Sequence, residues 1–206
     1  MATEVVGADD MLEPIIRKKT VAVSNDGSMM AIHDYGEFGT TVTDEPIAHG
    51  GSSEGPSPLQ AVLGALCGCE SVTFNRTASE MDFAYDGIEF EAEFTIDIRG
   101  RMGQRGVRQH FQTVRVEAIV TTDENEERFT EVVEETEARC PVFNLLTDAG
   151  VNMKVRWVRQ PTSALPAGIG SRVSRTVGSP TAERRLVPRQ AHTGVERRSL
   201  EPADAK

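Results

Sequence analysis

The chain has 206 residues, of which 38% are hydrophobic, and carries 22 Lys and Arg against 32 Asp and Glu, a formal net charge of −10. That length sustains one domain with a substantial core plus extra segments, and no apolar run reaches the length of a bilayer span. Three cysteines leave one over from any pairing, which argues against a secreted disulfide framework.

The charge is unevenly spread. Residues 162–206 hold eight basic and four acidic side chains, which leaves 14 basic and 28 acidic side chains in residues 1–161. A folded part this acidic repels nucleic acid. Met1 to Asp10 is acidic and lacks the basic-then-apolar order of a secretory leader, so a cytoplasmic protein without membrane contact is expected. From Pro161 onward, Pro, Gly and Ser interrupt the chain and no apolar period is sustained. The expected organisation is a flexible N-terminus over 1–14, a folded domain over 15–160 and a disordered basic tail over 161–206.

Within the domain, Lys19–Ser24, Met29–His33 and Phe38–Thr43 are short β-prone runs separated by Asn25-Asp26-Gly27 and Gly36, which predicts a three-stranded entry. Pro58 to about Ala78 reads as a helix. Leu59, Val62, Leu63, Leu66, Thr73 and Phe74 recur at helical spacing, Ser57 is placed to cap and Pro58 suits the first helical position. The segment is apolar or small on nearly every face, so deep burial is expected. One antiparallel sheet cannot cover such a helix all round; a second subunit could.

Next, Ile88, Phe90, Ala92, Phe94, Ile96 and Ile98 alternate with polar residues, as do Val114, Val116, Ala118 and Val120. These patterns predict two long half-buried strands joined by a flexible cationic loop at Gly100–Gly106. Phe129, Val132, Val133 and Thr136 then mark an amphipathic helix behind Asp123 and Glu126 that ends near Cys140. Pro141 starts a short helix reaching about Asp148, Gly150 closes it, and Val151, Met153, Val155 and Trp157 alternate as a last strand.

The cysteines carry the chemistry. Cys140 precedes a proline suited to a helix start, so its sulfur falls at an N-cap, where free amides and the helix dipole favour a thiolate; equally, it can pack as a small apolar group at a kink. Cys67 and Cys69 point roughly 200° apart on a helix turning about 100° per residue, which makes them poor joint ligands for one metal. Either could fill the core. Glu70 falls on the apolar side near Leu59 and Leu66, where it could orient a guanidinium, accept a proton, or be satisfied by an Arg or a capping N–H.

Gly55-Pro-Ser-Pro-Leu59 followed by a small-residue helix containing Leu66-Cys-Gly-Cys69, with Cys140-Pro-Val-Phe-Asn-Leu-Leu146 downstream, resembles the OsmC/Ohr family. The lead-in Asp44-Glu-Pro46 and His49-Gly-Gly51 resembles its OsmC-like branch. The similarity spans about residues 15–160. It implies an α+β fold of antiparallel sheets around a buried central helix, an intertwined homodimer, and active sites at the subunit interface.

The resemblance further implies a thiol-dependent peroxidase that reduces organic hydroperoxides. Cys69 would be the peroxidatic cysteine, Cys140 the resolving one and Cys67 an extra thiol. An external dithiol would reset the enzyme, and neither metal nor cofactor is required. One departure stands out: peroxidase members carry a glutamate directly after the helix-starting proline, or a residue later, where this chain has Leu59 and Gln60. Nor does an arginine stand in the Asn25–Met30 turn region. Ionisation of Cys69 would then draw on Arg17, Glu70 or Arg76. The alternative reading is a weakly active or inactive relative that binds an apolar small molecule at the dimer interface.

Overall fold

The computed structural model describes residues 14–164. The expected flexible N-terminus and most of the expected basic tail lie outside the described residues. Strands β1 (Ala22–Asn25), β2 (Ala31–Asp34) and β3 (Thr40–Thr43) form one antiparallel sheet in the order β1-β2-β3. Its first turn closes as the Asn-Asp-Gly signal requires. Asn25 Nδ2 donates to the carbonyls of Ser28 (2.8 Å) and Met30 (2.6 Å), and Gly27 takes φ +95°.

Helix α1 (Pro58–Glu80) begins with a reciprocal cap: the Gln60 amide donates to Ser57 Oγ and the Ser57 amide to Gln60 Oε1. The helix is one-sided within the chain. Leu63, Leu66, Glu70, Phe74, Thr77 and Ala78 are buried, whereas Val62, Gly64, Ala65, Gly68 and Val72 face outward. The expected deep burial therefore holds for one face only, because a single three-stranded sheet and two helices cannot surround it.

Strands β4 (Gly87–Thr95), β5 (Thr113–Thr121) and β6 (Asn152–Gln160) make the second sheet, in the order β4-β5-β6. β4 and β5 pair antiparallel, like the strands of the first sheet and as expected, whereas β5 and β6 pair parallel. The reason is the connection: helices α3 (Glu126–Arg139) and α4 (Pro141–Asp148) lie between β5 and β6 in the chain, long enough to return it to the same end of the sheet. Val114, Val116, Ala118 and Val120 turn one face of β5 into the core.

Two apolar clusters result. Leu63 and Leu66 pack with Phe111, Val114, Val116, Leu146 and Val151, and Phe74 packs with Phe83, Val120, Phe129 and Val132. The Phe74 ring stacks on Trp157 at 5.5 Å and meets Tyr85 edge-on at 5.0 Å.

Two expected boundaries shift. β4 stops at Thr95, and Ile98–Arg101 forms a single helical turn, α2, capped by Asp97 rather than continuing as strand. The cationic connection is tied down at this end, since Arg101 donates to Glu45 at 2.7 Å. Thr162–Ala164, assigned from sequence to the tail, forms a 3-10 turn held by Thr162 to Asp86 (2.8 Å) and Asp123 (3.0 Å).

Candidate functional site

The loop leading into α1 is built around a buried carboxylate. Asp44 accepts from the amides of Glu45 (2.8 Å), Ser52 (2.9 Å) and Glu54 (3.2 Å). Burial alone would raise its pKa, but these amides together with that of Ser53 outweigh it and hold Asp44 below the ordinary carboxylate value. Gly51 must be glycine, because a Cβ there would meet the Glu45 carbonyl oxygen at 1.8 Å. The Asp44-Glu-Pro46 and His49-Gly-Gly51 motifs thus close the loop that delivers Ser57 and Pro58.

On α1, Cys67 and Cys69 are both half-buried and flank the covered face; all three cysteines are free thiols. Cys140 is fully buried at the joint where α3 ends and α4 begins. Three bonds fix that joint: Cys140 N–H donates to Thr136 O (2.9 Å), and Asn144 Nδ2 donates to the carbonyls of Cys140 (2.9 Å) and Glu137 (3.0 Å). Asn144 was not singled out from sequence, although an amide four residues after a helix-breaking Cys-Pro is placed to collect free carbonyls.

Folding brings Cys69 into the neighbourhood of Cys140, near enough to add to the rise of the Cys140 pKa. The expected lowering of the Cys140 pKa is overturned. Burial pushes it up to about 11, and the Phe143 amide at the head of α4 opposes this only in part. Cys140 makes no side-chain cap hydrogen bond, so the helix start stabilises a thiolate less than desolvation penalises it. The Cys67 thiol is likewise raised, by burial and by the charge of Glu70.

Glu70 is fully buried, and neither of its carboxylate oxygens has a hydrogen-bond partner among the described residues. Burial first, and the charge of Glu137 second, push its pKa from 4.5 to about 7. The sequence-level option that an arginine or a capping N–H satisfies it is therefore not what the fold provides. Glu137 itself accepts from Trp157 Nε1 at 2.8 Å.

Among the described residues, no arginine side chain pairs with a thiol or with Glu70. Arg17 is exposed ahead of β1, and Arg76 is exposed two turns beyond Cys69 on α1. Gln60 is committed to the helix cap and Leu59 packs against the apolar cluster of Leu63 and Leu66.

A family model described as OsmC-like protein matches residues 50–156. This chain belongs to the OsmC family. Its fold is similar to that of the OsmC-like protein from Mycoplasma pneumoniae, with TM-score 0.59 and 17% identity over 70% of this chain and 99% of that one. It is also similar to an OsmC-like protein of unknown function from Vibrio cholerae (TM-score 0.56, 10% identity, 69% and 100% covered). A third is the organic hydroperoxide resistance protein OsmC from Legionella pneumophila (TM-score 0.52, 14% identity, 71% and 99% covered). At these identities the likeness speaks for the fold. No curated protein matches the chain by sequence. Among the described residues, no helix is long and apolar enough to cross a membrane.

Proposed function

We propose that this protein is a thiol-dependent peroxidase that reduces organic hydroperoxides in the cytoplasm. The juxtaposition of Cys69 and Cys140 in the fold of a family that includes a hydroperoxide resistance protein carries the reading. The Cys69 thiolate attacks the distal peroxide oxygen, the O–O bond breaks, and an alcohol leaves. The Cys69 sulfenic acid then condenses with the Cys140 thiol, forming the S–S bond and releasing water. An external dithiol reduces the disulfide.

The working unit is proposed to be a homodimer. Val62 and Val72 on the outer face of α1 are 37% and 54% exposed, and Gly64 and Gly68 between them have open space where a Cβ would stand. Such a face suits a close-packed partner helix. The first sheet is also largely uncovered, with Val23 at 55% and Ile32 at 40% exposure.

A second reading, an OsmC relative that holds an apolar ligand at the dimer interface with little turnover, is favoured by one observation: among the described residues, no carboxylate–arginine pair stands beside Cys69. The test is consumption of cumene hydroperoxide by the dithiol-reduced protein and by its Cys69→Ser and Cys140→Ser variants. The peroxidase reading expects loss of turnover in both. Equal consumption by all three proteins overturns it, and a co-purified apolar molecule with unreactive thiols selects the second reading.

A further inference from the structure

Glu70 combines three properties that a packing residue does not need. It is fully buried by its own chain, both of its oxygens lack a partner among the described residues, and it sits on the α1 turn that carries the thiols, one residue after Cys69 and three after Cys67. Burying an unpartnered carboxyl is costly, and a leucine of similar size would fill the space without that cost. Its charge also reaches Cys140 across the α1–α4 contact.

Cys140, for its part, lacks what a resolving thiol needs. The amide at the start of α4 offsets only part of the rise that burial imposes, and among the described residues no lysine, arginine or histidine side chain contributes to its titration. Attack on a sulfenic acid requires the thiolate, so a base must take the Cys140 proton during the step.

We propose that Glu70 is the general base of disulfide closure, taking the proton from Cys140 as its sulfur attacks Cys69. The step balances. The Cys140 S–H proton passes to the Glu70 carboxylate, the S–S bond forms as the Cys69 S–O bond breaks, and the departing hydroxide takes the proton from Glu70 to leave as water. The electrons were supplied by the two thiols, and the oxidising equivalent came from the hydroperoxide of the preceding step. The titratable groups near enough to Glu70 to feel or exert its charge are Cys67 on α1, Glu137 on α3 and Cys140 at the α3–α4 joint. With Glu137 engaged by Trp157, Glu70 is the carboxyl free to exchange a proton. It gains that proton at about neutral pH, which matches a base working there.

This inference rests on the two-thiol reading, and its test is made independent of peroxide. In a Cys67→Ser background, Ellman's reagent labels the half-buried Cys69 first and releases one thionitrobenzoate. Cys140 then displaces the second, and the rate of that release against pH reports how Cys140 loses its proton. The expected rate rises through about pH 7. Glu70→Gln lowers it at least tenfold at pH 7 and moves the rise towards alkaline pH, while Glu70→Asp retains a neutral inflection. Equal rates and equal pH profiles for the Cys67→Ser protein with and without Glu70→Gln, at matching thermal stability, overturn the proposal. If the protein consumes no hydroperoxide yet the displacement keeps its Glu70 dependence, the peroxidase reading fails and the base stands.

Discussion

Cys69 on α1 lies near enough to Cys140 at the α3–α4 joint to raise its pKa, although 71 positions separate them, and the third thiol, Cys67, stays on the other flank of the helix. Mild oxidation with diamide is therefore expected to give a single Cys69–Cys140 disulfide with Cys67 alkylatable. Peptide mapping by mass spectrometry checks this, and a dominant Cys67–Cys140 link contradicts it. The Cys67→Ser protein should close the disulfide as fully as the parent.

Much of this arrangement was legible in the sequence, because the signals that carried it are local. Ser57-Pro58 marked the start of α1, Asn25-Asp-Gly27 the first turn, and Cys140-Pro141 the joint where the second thiol sits. What sequence did not show was long-range. The parallel pairing of β5 with β6 depends on where two helices return the chain, and the uncovered half of α1 depends on how much apolar surface one copy can supply. The Cys140 pKa was misjudged for a related reason: an N-cap position is visible in sequence, whereas the burial that outweighs it is made by residues far along the chain.

Glu70 makes stability depend on pH in a defined direction. Its carboxyl ionises near 4.5 when the chain is unfolded and at about 7 when folded, so between these values the native state binds more protons. The stabilisation held by the protonated form is complete below about 4.5 and is lost as pH rises through about 7. The full loss is on the order of 3 kcal/mol at about 1.4 kcal/mol per pH decade. Glu70→Gln cannot ionise, and its urea midpoint relative to the parent should increase from pH 5 to pH 8. A difference that stays constant would show that Glu70 does not titrate between folded and unfolded states.

The outer face of α1 offers a test of assembly. Val72→Glu places a charge beside the Val62, Gly64, Ala65 and Gly68 stretch of the outer face, while leaving the buried face untouched. If that face packs against a second copy, the parent sediments as a dimer at micromolar concentration and Val72→Glu as a folded monomer with an unchanged far-ultraviolet circular dichroism spectrum. A parent that is itself a stable monomer removes the proposed interface.

Asp44 connects the loop motifs to the position of the thiols. Its carboxylate gathers the amides of Glu45, Ser52 and Glu54, and the next residue, Glu45, receives Arg101 from α2 at 2.7 Å, so one short loop ties the end of β3 to the second sheet. Alanine at Asp44 leaves three amides to find water and frees the loop that presents the Ser57 cap. A lower melting temperature at pH 7 is expected for Asp44→Ala. Because the folded Asp44 pKa is depressed, its contribution is present above the unfolded carboxylate pKa and fades as pH falls through the folded one, so the gap to the parent should narrow in acid. Gly51→Ala should be the more severe change at every pH, since its defect is a collision with the Glu45 carbonyl rather than a lost ionisation. Differential scanning calorimetry of both variants from pH 3 to pH 8 separates the two effects, and a pH-independent Asp44→Ala defect would show that the amide cradle does not stabilise a charge.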